Sequence, residues 1–329
     1  YGVVLISPPG SAAADEARRR GIDVAEVAMR TDADLPAARR ILGVLRDRRV
    51  CIVHLHTGRA NVLGGAAAWW AGIPAVTTRR MDRRVRRSYK SAAVYRRFTA
   101  ATVAISPAVA DCLAAGGVPL ERIRLIPEAV DPARVAPVRG RAAVRSELGA
   151  GADVCVLLTL AALTRRKGID VLLAALHRLR AAGSVPVAWI AGEGEDRERL
   201  EHDCGRLGLA DRVRFLGARA DVGDLLAGCD AFVLPSRQEG LGVAALEAMA
   251  AERAVVGSAV GGLAHSVLHE QTGLLVPPGD VDALAAALQR VVGDDALRRR
   301  LGSAGPARIA AAFHHEGMLD AHESLYRSL

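Results

Sequence analysis

The sequence predicts an α/β protein of two domains, each a doubly wound parallel sheet covered by helices, and three observations carry that prediction. Short apolar runs alternate with helix-patterned stretches from end to end, the signature of successive βα units. With 329 residues, 51% of them hydrophobic, the chain exceeds the about 250 to 300 residues at which a single core stops growing. Only 3% of residues are aromatic, so the cores must be built from Ala, Val and Leu, as in helices laid over buried parallel strands.

Taken in order, the first-half strands are VVLIS (3–7), DVAEVA (23–28), CIVHLH (51–56), AVTT (75–78), TVAIS (102–106) and IRLIP (123–127), each short and mostly apolar. Over VDPARVAPVRGRAAVRSELGAGAD (130–153) the pattern lapses into Pro, Gly and charge, as linkers do. The alternation then restarts with VCVLLTL (154–160), PVAWIAG (186–192), RVRFLG (212–217), DAFVLP (230–235), AVVGS (254–258) and GLLVP (273–277). Helix patterns accompany them, such as GIDVLLAALHRLRAA (168–182) between strands and DVDALAAALQRVV (280–292) after the last. The expected division is a Rossmann-like domain over 1–136, a second over 137–307, and a C-terminal helix over 308–329 that packs back on the first. In such sheets the ligand site is the cleft outside the strand ends, here between the two domains.

A net charge of +8 and a pI near 9.8 favour an anionic partner: nucleic acid, a phosphorylated substrate or an acidic membrane face. The five cysteines are odd in number, scattered and free of any C-x-x-C, which reads as reduced and cytosolic rather than as a disulfide framework or a zinc site. The longest apolar stretch, VLGGAAAWWAGIPAV, is broken by glycines and Pro74, short of the about 18 to 20 residues of a spanning helix. The chain opens directly on the run VVLIS, so a first strand, its turn and a helix are expected to be missing ahead of it.

The stretch PSRQEGLGVAALEAMAAERAVV (235–256) carries the chemistry. DAFVLP is a buried strand, SRQEGLG the turn at its C-terminal end, and VAALEAMAA a strong helix former. Gly240 and Gly242 leave backbone N–H groups bare at a helix start, where an anion such as phosphate is attracted. Glu239 shares that turn and Glu247 lies on the order of 8 Å away, at about 1.5 Å per residue. Solvated helix-end acids are the plain alternative, but Leu246, Met249 and Ala250 surround Glu247 with apolar groups, where a bare charge is costly. A ligand with hydroxyls around a phosphate satisfies all of these groups. Lys167, before Gly168 at the mouth of the second half's first strand, is a point charge for phosphate.

E-G-L-G-V-A-A-L-E-A-M-A resembles the E-x7-E motif of the retaining GT-B glycosyltransferases of family 4. LTRRKGIDVLLAAL, IAGEGEDRERLE, VRFLGARADVGDLLAGCDAFVLPS, AVGG and TGLLVPPGDVDALAAAL extend the resemblance through the second half, and HLHTGRAN, TTRRMD and AISPAVADCLAAGGVPLERIRLIPEAVD through the first. The resemblance implies a GT-B fold, an acceptor-side first domain and a nucleotide-sugar donor domain after it. It implies a retaining, metal-independent hexosyltransferase needing no cofactor, in which Lys167 meets the donor diphosphate, Glu239 the transferred sugar and Glu247 the ribose. Arg166, Gly240, Leu241 and Gly242 join Glu247 in binding the donor, while His56 and Arg79 fall on the acceptor side. Several positions depart from the family: Ala162 replaces an arginine, Glu128 and Ala129 replace Asn-Gly, His265 replaces an acid, and Glu252, Arg253 and Ala254 stand where Gly and Pro are common.

The implied setting is cell-envelope glycan or lipopolysaccharide synthesis with a glycan or lipid-linked acceptor, in the cytoplasm or peripherally on the inner face of the plasma membrane. A nucleotide-sugar 2-epimerase and a non-catalytic sugar-nucleotide-binding remnant are the alternatives. His54 and His56 share one strand face, either as satisfied core histidines or as cleft contacts. The run RRMDRRVRRSYKSAAVYRR (79–97) holds nine Arg or Lys against one Asp, either a solvated face or a patch for anionic lipid or a phosphorylated acceptor. Nucleic acid is not expected, because Tyr89, Tyr95 and Phe98 are the sole stacking candidates near that run.

Overall fold

The computed structural model describes residues 2–86, 88–183 and 185–329; Tyr1, Ser184 and Arg87 of the basic run lie outside the described residues. The chain divides into two compact units, one of residues 1–105, 109–126 and 322–329, the other of 106–108 and 127–321.

In the first unit, β1 (Val4–Ser7) and β2 (Asp23–Glu26) form a parallel pair. A separate four-stranded parallel sheet runs β3 (Val53–Leu55), β4 (Ala75–Arg79), β5 (Ala101–Ala104) and β6 (Ile123–Leu125) in chain order. The single doubly wound sheet expected for this half is thus two sheets, which share one core. Ala37, Ile41 and Leu45 of helix Leu35–Asp47 and Leu63 and Ala67 of helix Gly58–Ala71 fill it, with Leu55 of β3 and Ile6 of β1 packed against them. The sequence marks both helices: Asp34 and Thr57 cap their starts by accepting from the amides of Ala37 and Ala60, and Gly72 ends the second at φ 70°.

In the second unit, β7 (Val156–Leu160), β8 (Val187–Ala191), β9 (Val213–Gly217), β10 (Ala231–Leu234), β11 (Ala254–Ser258) and β12 (Gly273–Val276) form one parallel sheet of order β12-β11-β10-β7-β8-β9. Alternate residues of each strand enter different cores. Leu157, Ile190 and Val233 pack on one face, and Leu158, Trp189 and Phe232 on the other. Burial on both faces is why these strands read as continuous apolar runs.

Two boundaries differ from the sequence reading. Residues 127–136, expected in the first domain, belong to the second unit, because Arg134 pairs with Glu247 and Gly223 packs so closely on Ala136 that an added Cβ would lie 2.4 Å from its carbonyl oxygen. The expected helix over 308–329 is interrupted: helices Gly305–Ala312 and His315–Arg327 flank Phe313, which is 2% exposed and whose carbonyl accepts from Val130. Its last eight residues, from His322, group with the first unit, and those before them with the second. Among the described residues no helix is long and apolar enough to cross a membrane.

Candidate functional site

In the second sheet, connections from β7 lead to β8 and β9 on one side, and those from β10 lead to β11 and β12 on the other. The loops leaving the C-terminal ends of β7 and β10 therefore part, which opens a crevice at this switch of direction. Lys167 and Glu239 stand there, on the loops after β7 and β10. Lys167 Nζ lies 2.5 Å from Glu239 Oε2, and the Ser236 hydroxyl donates to the same oxygen at 3.1 Å. Both side chains are largely buried, 14% and 9% exposed.

Close backbone contacts hold this geometry. Gly168, at φ 67°, faces the Pro235 carbonyl so closely that a Cβ would sit 2.0 Å from its oxygen, so the turn that carries Lys167 demands glycine. Arg237 grips both oxygens of Asp170 at 2.7 Å, and its amide donates to the Arg166 carbonyl at 2.8 Å. Burial would raise the Asp170 pKa, but the Arg237 hydrogen bonds and charge outweigh it and hold the group below its ordinary value. On the other side, Gly242 takes φ 84°, and the Gly262 amide donates to the Glu239 carbonyl at 2.9 Å. Arg166 is half-buried, while Gly240, Leu241 and Gly242 are buried. All four lie in these two loops beside the Lys167–Glu239 pair.

Glu247 sits in helix Val243–Ala250 and is 5% exposed. Burial raises its pKa, against which Arg134, with Nε 2.5 Å from Oε1, acts in the opposite direction. Sequence reasoning missed Arg134, which lies in the Pro-rich lapse and pairs across 113 positions. It also missed Ser236, although that residue stood in the quoted motif.

In the first unit, His54 and His56 stack at 4.2 Å between ring centroids. His54 is held from both nitrogens, Nδ1 by the Tyr326 hydroxyl at 2.5 Å and Nε2 by Thr78 Oγ1 at 2.6 Å. It is therefore a satisfied histidine. Burial pushes its pKa down to about 3, aided by the neighbouring His56, His322 and Arg80. The His56 ring lies 3.1 Å from Arg80 Nη1 and is lowered to about 4 by lost solvation and by that cation. Arg79, at the C-terminal end of β4, donates to the Tyr95 hydroxyl and the Arg83 carbonyl. Among the described residues no group of three His, Cys, Asp or Glu is placed to hold a metal ion, and all five cysteines are unbridged.

The fold divides the basic run. Arg79 ends β4 and Arg80 follows it, whereas Arg96 and Arg97 precede the N-terminal end of the parallel strand β5, so the two ends of the run face opposite edges of the sheet.

Family models match both halves of the chain: Glycosyl transferases group 1 over residues 141–308 and Glycosyltransferase Family 4 over 1–134. The lipopolysaccharide core biosynthesis glycosyltransferase LpsE of Rhizobium meliloti is 32% identical over 240 residues, covering 73% of this chain and 68% of that protein. LpsD of the same organism is 34% identical over 182 residues, 55% of this chain and 52% of LpsD; that match spans about half of the relative's length. Among solved structures, Anabaena Alr3699/HepE in complex with UDP and glucose superposes with a TM-score of 0.89 at 22% identity, covering 99% of this chain and 92% of that one. That likeness shows the GT-B fold.

Proposed function

The chain belongs to the group 1, family 4 glycosyltransferases, and from that premise we propose that it moves a hexose from a nucleoside diphosphate sugar to an acceptor hydroxyl, with retention at the anomeric carbon and without a metal ion. The observation that carries this reading is the Lys167–Glu239 pair at the switch point of the second sheet, beside a glycine-lined turn and a helix start. A diphosphate laid against that turn takes over Lys167, and the released Glu239 carboxylate accepts from the sugar's hydroxyls. Ribose hydroxyls reach Glu247 farther along the helix. The bond from the anomeric carbon to the diphosphate breaks as the acceptor oxygen bonds to the same face, and the acceptor's proton passes to the departing phosphate. Lys167 and the turn amides stabilise the charge that collects there, and their fixed positions require little reorganisation. A glycan or lipid-linked acceptor of the cell envelope fits the similarity to LpsD and LpsE, with His56, Arg79 and Arg80 on the acceptor side.

A thermal-shift panel of nucleoside diphosphates and their hexoses tests this reading. One nucleotide sugar should raise the unfolding temperature, by an amount corresponding to about 2.7 kcal/mol at a hundredfold excess over its Kd. The product of the stabilising donor should keep the donor's anomeric configuration by NMR. A panel with no stabilising member overturns the donor site, and an inverted product overturns retention.

A further inference from the structure

The N-terminal edge of the first unit's four-stranded sheet gathers features that sugar transfer does not use. Because β3 to β6 are parallel, the segments entering them share that edge. Arg46, Arg48 and Arg49 precede β3, Trp69 and Trp70 precede β4, Arg96 and Arg97 precede β5, and Arg122 precedes β6. The two adjacent indoles are 43% and 44% exposed, and Leu120 beside Arg122 is 73% exposed. The Arg97 guanidinium lies over the Trp69 ring, 4.3 Å from its centroid. Trp69, Arg97 and Arg122 line a cavity of about 330 Å³, with Ile73, Pro74 and Phe98 as its apolar wall. Of these six arginines Arg48 alone is ion-paired among the described residues, to Asp23 at 2.7 Å. Arg122 instead donates to the carbonyls of Arg96 and Thr99.

We infer that this edge docks on an anionic lipid bilayer, with Trp69 and Trp70 seated at headgroup depth and the arginines on lipid phosphates. Indoles favour the membrane interface because their rings are apolar at one end and carry an N–H donor at the other. Arginines drawn to an anionic leaflet add to that attraction within a Debye length. A bilayer suits both parts of the face at once, since a purely apolar partner would leave the unpaired guanidiniums desolvated. The inference stands apart from the sugar-transfer reading. It also assigns docking to a different edge from the one that carries Arg79 and Arg80.

The test is co-flotation of the full chain with vesicles of phosphatidylcholine alone or mixed with phosphatidylglycerol, with brominated-lipid quenching of tryptophan. Since the third tryptophan, Trp189, is fully buried, quenching reports on Trp69 and Trp70. Binding should require phosphatidylglycerol, fall with salt, and weaken roughly fivefold for each arginine removed. The variant R46Q/R49Q/R97Q should therefore lose about a hundredfold. W69S/W70S should float markedly less with the phosphatidylglycerol vesicles, whereas R83Q/R84Q, altered in the loop beyond the opposite end of β4, should bind as wild type. Equal flotation with both vesicle types, loss of binding in R83Q/R84Q alone, or vesicle-independent self-association through the tryptophans would overturn the inference.

Discussion

Removing Lys167 should expose the cost of keeping the Glu239 carboxylate buried without that lysine. At 2.5 Å and an effective dielectric near 20, the two charges attract by roughly 7 kcal/mol, and most of that offsets the desolvation of both ions. Breaking a buried pair from one side costs about 3 to 5 kcal/mol. The pair retains 14% and 9% exposure and Glu239 keeps the Ser236 hydroxyl, which points to the lower end. Lys167→Met should then destabilise the second unit by about 3 kcal/mol, Glu239→Gln by about 2, and the double variant by about 3, a coupling near 2 kcal/mol. Urea unfolding in a W69F/W70F background measures this directly, because Trp189 in β8 becomes the sole tryptophan reporter. UDP, the nucleotide held by the structural neighbour HepE, supplies the functional half of the same cycle. Lys167→Met should weaken UDP binding about tenfold to a hundredfold, the loss of one charge-assisted hydrogen bond. Glu239→Gln should strengthen it several-fold, on the order of the pair coupling it removes, since UDP no longer has to draw Lys167 from a carboxylate. A coupling under about 0.5 kcal/mol, or weaker UDP binding in Glu239→Gln, would refute the view that the pair is the donor site's resting state.

Two further outcomes follow from the titrating groups. The Glu247 pKa is raised by burial and opposed by Arg134, so the native state binds the extra proton and this group lowers stability as pH rises from the unfolded value through the folded one. Arg134→Met should raise that pKa further, costing about 1 to 3 kcal/mol near neutrality and little in acid where Glu247 is protonated in both states; a pH-independent cost in urea titrations would count against it. His54, lowered to about 3, acts the other way. Below its unfolded pKa of about 6.5 the unfolded chain binds more protons, so stability falls with acidification at up to about 1.4 kcal/mol per pH unit, and His54→Gln should flatten that slope.

What the sequence shows and hides divides along physical lines. All twelve strands were readable because short apolar runs bounded by turn residues carry their own signal. The turn around Gly240 and Gly242 was readable because glycine at a strand-to-helix junction has few other uses. Glu252 shows the limit of that logic. It occupies φ 60° just past helix Val243–Ala250, a backbone conformation that favours glycine, so a glutamate can stand at a helix end where the backbone alone would call for glycine. The division of the first half into two sheets was not readable, because strand patterns fix neither partner nor neighbour. Nor was the separation of the basic run, since nine cations within residues 79–97 read as one patch until β4 and β5 place its ends at opposite edges.

The candidate site depended on order more than on composition. Lys167 and Glu239 are 72 residues apart, and neither position predicts the other. Their meeting follows once the second half is taken as doubly wound, because its first and fourth strands must then be neighbours and their loops must leave the same edge in opposite directions. Long-range pairing of that kind is therefore deducible from topology. The Arg134–Glu247 pair is not, because Arg134 sits on a four-residue helix in an irregular segment that no sheet rule positions. Tyr326 lies on the regular helix His315–Arg327, yet its meeting with His54, 272 residues away, is not deducible either, because no sheet rule fixes which residue of that helix faces β3. Residues on the ends of regular strands can be assigned to a site from sequence, whereas those that neutralise or shield it from irregular segments emerge with the structure. Arg134 is thus the position at which a sequence-based design of this candidate site would go wrong first: without it, a buried carboxylate is left uncompensated at about 1 to 3 kcal/mol.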